Sequence, residues 1–438
     1  MRPKRQHRAQ LLKMPMNPLL VPLSSAEAMD ANRFGPKAAN LATLGRAGLP
    51  IPDGFCLDAQ AYRVQVAALG LDERARDVSS PDALTARRAA LDMKLGLLDS
   101  PITAEVLEPL LENWQALVAR SGALTVVRSS ALVEDRFGSS FAGQFESYLG
   151  LEDEAELLTA VRSCWAALWS TRVLRYMANH DASPADTAMA VLIQPLVSAR
   201  VSGGGLSRTA EGDMVLNATW GLGSAIAQGE VVPDRIVLRA DGTLRETALG
   251  RKYHSVGCAH GNKIVPRPMV SKRCLDTAQA TELGRLLRSA EQVMGMPVEI
   301  EWALDDLGFK LLQARPLHVE AAQVPDKVWL HHPRLNGQPC GVGWGTGRAT
   351  VVNCECELSR VGPGDILVTK VAGPALSQIL SRVSGVVAEL GGSTSHLASL
   401  ARERGIPMVL GVLDATLRIP DGVQVAVDGV TGVVRWMR

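Results

Sequence analysis

Gly391-Gly392-Ser393-Thr394-Ser395-His396-Leu397-Ala398-Ser399-Leu400-Ala401-Arg402-Glu403-Arg404-Gly405-Ile406-Pro407 is the stretch on which the reading of this chain turns. Just before it, Val383 to Leu390 is apolar and β-branched and reads as a buried strand. The two glycines then allow backbone conformations closed to other residues. Ser395 is a natural N-cap, Leu397, Leu400 and Ala401 have helical spacing, and Gly405 and Pro407 stop the helix. His396 therefore falls in the first helical turn. A phosphoryl group on its ring would meet unpaired backbone N–H groups, the positive end of the helix dipole and the hydroxyls of Thr394 and Ser395. Arg402, further along, could also reach an anion. The plainer alternative for a lone histidine is a structural one, satisfied at a helix start.

Working outward, the rest of the chain divides unequally. Residues 19–318 alternate helical and strand patterns punctuated by glycine motifs, and residues 319–339, with charges, prolines and the pair His331-His332, read as a linker. Residues 340–438 carry short β-branched strands, Ile366-Leu367-Val368-Thr369, Gly385-Val386-Val387 and Val423-Gln424-Val425-Ala426-Val427, with little helix besides the one after His396. This predicts a compact β/α domain. The whole is expected to be a multidomain chain of α/β and α+β class, with no internal repeat and no low-complexity segment. Its 438 residues leave room for about three compact units.

Charge and cysteine content narrow the function classes. Lysine plus arginine number 46 against 45 aspartates and glutamates, so no global charge attracts nucleic acid or an anionic membrane. No apolar run is long enough to span a bilayer, which predicts a soluble chain. Seven cysteines without a regular framework point to reduced thiols and a cytoplasmic compartment. Arg2, Lys4, Arg5, Arg8 and Lys13 make residues 1–18 a basic leader with no signal core behind it. It reads as disordered, or as a start site set upstream of Met14 or Met16.

Two segments of the larger part carry phosphate chemistry. Val126-Val127-Arg128-Ser129-Ser130-Ala131, then Glu134-Asp135 and Ser140-Phe141-Ala142-Gly143-Gln144, place an arginine fork on a strand and a small, glycine-containing loop beside it. Val298 to Asp305 and Phe309 to Arg315 read as a hairpin around a three-residue loop, Asp306-Leu307-Gly308. That register sets Glu301 opposite Gln313, with Cβ atoms about 5 Å apart, and Glu299 opposite Arg315 on the same face. A carboxylate and an amide oxygen so placed can ligate a divalent cation such as Mg²⁺, with Arg315 on the same face. An ordinary cross-strand polar ladder is the competing reading of the hairpin alone.

The run from Gly391 to Pro407 resembles the swivelling phosphohistidine domain of the phosphoenolpyruvate synthase, pyruvate phosphate dikinase and rifampicin phosphotransferase superfamily, G-G-x-x-S-H-x-A-x-x-A-R-x-x-G-I-P. The R-S-S-A-x-x-E-D and S-F-A-G-Q pair, with Glu301-Trp302-Ala303-Leu304 and Leu312-Gln313-Ala314-Arg315-Pro316, resembles the same superfamily's ATP-grasp domain over nearly its whole length. The resemblance implies an ATP-grasp nucleotide-binding domain followed by the phosphohistidine domain, turning about the linker. It implies a dikinase-type phosphotransferase in which His396 takes the β-phosphoryl group of ATP and passes it on, with release of AMP and phosphate. Arg128 and Arg315 would act with His396. Lys37, Gly143, Ser147, Gln194, Glu301 and Gln313 would join them around ATP, with Mg²⁺ on Glu301 and Gln313. Gln194 is carried over as a base contact from Met189-Ala190-Val191-Leu192-Ile193-Gln194, and Ser147 as a nucleotide neighbour.

The chain departs from the pattern in places. The usual G-G-K-G-A-N-L stands here as Phe34-Gly35-Pro36-Lys37-Ala38-Ala39-Asn40-Leu41, a loop expected to be stiffer or displaced. Val201-Ser202-Gly203-Gly204-Gly205 is richer in glycine than V-S-G-V, which predicts local looseness. Ala218-Thr219-Trp220-Gly221-Leu222-Gly223 and Gly229-Glu230-Val231-Val232-Pro233-Asp234 match W-G-L-G and G-E-x-x-x-P-D and carry no assigned chemistry. The relatives' pyruvate barrel and antibiotic-binding domain have no counterpart here, so the expected acceptor is a small molecule other than pyruvate or a site on a partner subunit. A phospho-carrier subunit and a degenerate nucleotide-binding regulator are the alternatives. Cys340, Cys354, Cys356, His331 and His332 form a weaker candidate zinc cluster. Its C-x-C spacing and adjacent histidines suit a single tetrahedral ion poorly.

Overall fold

Among the residues that the computed structural model describes, 18–134, 145–178, 183–256, 262–319 and 327–437, three large sheets and a two-stranded ribbon organise the chain. The first sheet is antiparallel, in the order Leu20–Pro22, Phe55–Leu57, Met189–Pro195, Thr125–Ala131, Ser147–Leu151. Thr125–Ala131 is buried along its whole length, consistent with strands covered on both faces. Its core joins Val127, Trp165, Val191 and Ile193.

The second sheet runs Gly308–Pro316, Val298–Asp305, Val201–Leu206, Met214–Trp220, Asp234–Leu238, Leu244–Ala248, again antiparallel. Helix Thr277–Met294 packs Leu283 and Leu287 against Leu216, Ile300 and Trp302. Its ends are well specified, with a capping box between Asp276 and Gln279 and a left-handed Gly295 at the C-cap.

The third sheet has eight strands, four of them parallel at its centre: Trp344–Val352, Ile366–Thr369, Gly385–Ala388 and Met408–Leu410. The strand before the glycine pair is Gly385–Ala388, shorter than the apolar run suggests, and helix His396–Glu403 begins behind an Ser395 N-cap whose hydroxyl accepts the Ala398 N–H at 3.3 Å. The segment read as a linker is only partly one. Arg334–Asn336 pairs with Val433–Trp436 at one edge of this sheet and Gln338–Pro339 pairs with Met408–Leu410 at the other. Backbone pairing there overrides a composition that looks like a connector. Residues 320–326, and the leader up to residue 17, lie outside the described residues.

No described helix is long and apolar enough to cross a membrane. The expectation of reduced thiols fails at one pair, because Cys354 and Cys356 are joined in a disulfide on an exposed turn. Cys56, Cys164, Cys274 and Cys340 are free and buried, and desolvation pushes the thiol of Cys340 up to about 12. The zinc cluster is likewise not assembled, and no group of three or more metal-ligating side chains exists among the described residues.

Candidate active site

Where the three sheets meet, a cavity of about 440 Å³ is lined by Lys37, Arg128, Ser147, Gln194, Glu301, Gln313, Arg315 and His396, side chains that lie up to 359 positions apart in sequence. Every residue that the resemblance places around ATP, with His396, is in that wall except Gly143, which falls outside the described residues.

The hairpin supplies the acidic side. Glu301 pairs with Gln313 and Glu299 with Arg315, as the spacing predicts, but the turn differs. Asp305 pairs with Gly308, so only Asp306 and Leu307 form the loop, and the extra residue is a bulge at Leu312 that restores the register at the site. The bulge also frees a carbonyl: Arg128 donates from Nη1 to Leu312 O, and from Nη2 to Gln313 Oε1 at 2.8 Å, with Glu301 Oε2 at 3.5 Å. Burial works against the charge of Arg128, and Glu301 and Glu134 counter it. Glu301 and Gln313 offer the hard oxygen donors that would hold Mg²⁺.

Lys37 reaches the cavity by a route the sequence did not suggest. Instead of a loop, Ala31–Arg46 is one helix broken at Gly35, whose φ of +73° and ψ of 159° form a kink ahead of Pro36. A Cβ on Gly35 would run into the backbone oxygen of Ser130, so only glycine fits there. Pro36 starts the second half without needing an N–H. Lys37 Nζ then donates to Ser129 O at 2.7 Å and lies 3.5 Å from Glu134. Gln194, fully buried on its strand, donates from Nε2 to Pro52 O and Asp53 O at 3.3 and 3.4 Å, tying the 52–53 loop to the cavity wall.

His396 and Thr394 enter this cavity from the third sheet. Burial, only partly offset by Glu301 and Glu299, pushes the His396 imidazole down to about 4, with Arg315 and Lys37 acting in the same direction as burial. The shift favours the neutral ring, the form that holds a free lone pair. Arg402 does not face this space. It is buried, donates to Ser393 O at 2.6 Å and Cys340 O at 3.2 Å, and lies 2.9 Å from Glu299. Its expected role as an anion contact is therefore replaced by a structural one.

Two matches now place this geometry. Residues 31–331 match the family model described as pyruvate phosphate dikinase, AMP/ATP-binding domain, and residues 361–432 match that of the PEP-utilising enzyme, mobile domain. The chain belongs to the phosphoenolpyruvate synthase and pyruvate phosphate dikinase superfamily. Among its relatives, a probable phosphoenolpyruvate synthase of Methanothermobacter thermautotrophicus is 30% identical over 92% of this chain and 61% of its own length. The phosphoenolpyruvate synthase of Pyrococcus furiosus is 31% identical over 92% of this chain and 57% of its own. That of Escherichia coli is 29% identical over 95% and 58%. The chain thus spans about three fifths of the length of these relatives.

Of the two segments left without chemistry, residues 229–234 meet the third-sheet region, while Leu222 and Gly223 of the other line the cavity. Gly391 N–H donates to Val231 O at 3.2 Å and Gln338 Nε2 to Pro233 O at 3.1 Å, while a Cβ on Gly392 would strike Pro233. The sequence signal was present in the paired glycine motifs. Their partner lay too far along the chain for spacing to reveal it.

Proposed function

We propose that this chain performs the nucleotide half of a dikinase-type phosphotransferase reaction, moving the β-phosphoryl group of ATP to His396 and on to an acceptor. The observation that carries the proposal is the imidazole of His396 lining one cavity with Lys37, Arg128, Glu301, Gln313 and Arg315. An imidazole nitrogen attacks the β-phosphorus, the α–β bond breaks and AMP leaves. The γ-phosphoryl passes to water or inorganic phosphate, so that one phosphoryl remains on the ring. The protein's part is positioning and charge: Arg128, Lys37 and Arg315 offset the charge developing on the phosphate oxygens, and Gln194 and Ser147 border the nucleoside end. Mg²⁺ held by Glu301 and Gln313 would add charge neutralisation across the phosphates. The regulator alternative drew on the altered Lys37 segment, and Lys37 lines the cavity despite it.

Pyruvate, set aside above for want of a barrel, returns as the first acceptor to test because the relatives carry the name phosphoenolpyruvate synthase. A separate acceptor subunit is the next. The decisive experiment incubates the protein with Mg²⁺ and ATP labelled at the β-phosphate, beside His396→Ala. An acid-labile adduct with stoichiometric AMP, absent from the variant, is expected. ATP binding with neither adduct nor AMP would end the enzyme reading for this chain.

A further inference from the structure

The helix that carries His396 is held against the nucleotide-binding region by contacts that the phosphoryl chemistry does not itself require. Val201–Leu206 is fully buried, so its glycines are not loose as their number suggests. A Cβ on Gly204 would lie 2.5 Å from Thr394 Cβ and 2.7 Å from its Cγ2. Gly204 is thus the seat into which the residue two before His396 fits. Beside it, Asn217 Oδ1 accepts the hydroxyls of Ser393 at 2.6 Å and Thr394 at 3.2 Å. One turn along the helix, Ser399 Oγ lies 2.9 Å from Glu299 Oε2 and donates to that carboxylate, and Arg402 Nη2 reaches the same oxygen at 2.9 Å. Arg315, a cavity residue, completes the cluster at 3.1 Å from Glu299. At the far end, Tyr176 donates to Glu403 at 2.7 Å.

Both halves of this contact are specific in kind. The glycine seat is steric: a side chain at position 204 and the Thr394 side chain cannot occupy the same space. The Glu299 cluster is electrostatic: a buried carboxylate between two guanidiniums and a hydroxyl is stable only while all partners are in place. When the His396 helix leaves, Glu299 loses Ser399 and Arg402 together and keeps only Arg315.

We propose that Gly204 and Glu299 form a docking seat that holds His396 over the nucleotide cavity, and that both are positioning residues for phosphorylation of His396, not for ATP binding. This rests on the phosphotransferase reading above. Because one histidine has to serve both ATP and an acceptor, the seat must be strong enough to align His396 yet able to release it. Arg315 belongs to both the seat and the cavity.

The test is steric replacement with a compensating partner. Gly204→Ala should lower the rate of phosphohistidine formation at least tenfold, while affinity for a β,γ-imido analogue of ATP, measured by calorimetry, stays within twofold. Removing the colliding side chain in Gly204→Ala/Thr394→Gly should restore docking, read by scattering; the rate is not the readout for this variant because Thr394 itself lines the cavity. Glu299→Gln provides an independent arm with the same expected split between rate and affinity. Small-angle scattering reads docking without any chemistry: the radius of gyration should grow in Gly204→Ala and return in the double variant. An unchanged rate in Gly204→Ala, a loss of nucleotide affinity in step with the rate, or no recovery of the parent radius of gyration in the double variant would overturn the seat. A parent protein that forms no phosphohistidine but shows the scattering pattern would keep the seat and sink the phosphotransferase reading instead.

Discussion

For His396 to be the proposed nucleophile its ring has to be unprotonated, and loss of hydration favours that form. Its imidazole is pushed from 6.5 down to about 4 by loss of hydration, although Glu301 and Glu299 pull the other way. The rate of phosphohistidine formation should therefore stay flat as pH falls from 8 through 6 and decline only as it nears 4. A quenched-flow profile breaking near 6.5 would show a solvated ring. The stability consequence has a definite sign. Between about 4 and 6.5 the unfolded chain holds a proton on this residue that the folded chain does not, so stability rises with pH across that window. Replacing His396 with asparagine should flatten that slope in denaturant titrations. Arg128 is the second residue to vary. With its guanidinium split between Leu312 O and Gln313, Arg128→Gln should cost about 100-fold in phosphorylation rate, the magnitude seen when one preorganised donor is lost. A drop under fivefold would remove it from the phosphate-binding set.

At the scale of elements, what the sequence made legible was local and periodic. The strand, glycine pair, N-cap and helix around His396 follow from residue types within a few positions of one another. The Glu301–Gln313 pairing was readable because cross-strand register follows from the hydrophobic pattern. The bulge was not. A three-residue loop and a two-residue loop with one extra residue further along give the same pairing at the site, and only the carbonyl offered to Arg128 distinguishes them. The Lys37 segment was misread for a related reason: Pro36 suggests a loop, whereas Gly35 absorbs the irregularity in one left-handed residue and lets helix continue on both sides. That arrangement makes Gly35 fragile. Gly35→Ala should lower stability by about 1–3 kcal/mol, from the left-handed backbone alone, and more if Ser130 cannot move. It should also weaken ATP binding through Lys37. Pro36→Ala, which leaves the kink residue in place, should do much less to both. Equal losses in the two variants, by thermal unfolding and calorimetry, would contradict the account of the kink.

The arrangement of the whole molecule was the least legible, since it depends on contacts between residues separated by most of the chain. The residues read as linker contribute edge strands to the third sheet, and the docking contacts join Gly204, Asn217 and Glu299 to positions 393–402. No periodicity reports such a contact. Its consequence is that the cavity has walls from both matched regions, so a ligand filling it should stabilise both at once. At a hundredfold excess over its dissociation constant, the imido analogue of ATP with Mg²⁺ should contribute about 2.7 kcal/mol to the state that binds it. If that state is the docked one, hydrogen exchange will slow in Thr125–Ala131 and Val298–Asp305 and also in His396–Glu403. Protection confined to the two strands would mean that nucleotide binds without holding the His396 helix in place. The arrival of His396 would then be a step after binding, and the docked geometry one state among those the free protein visits.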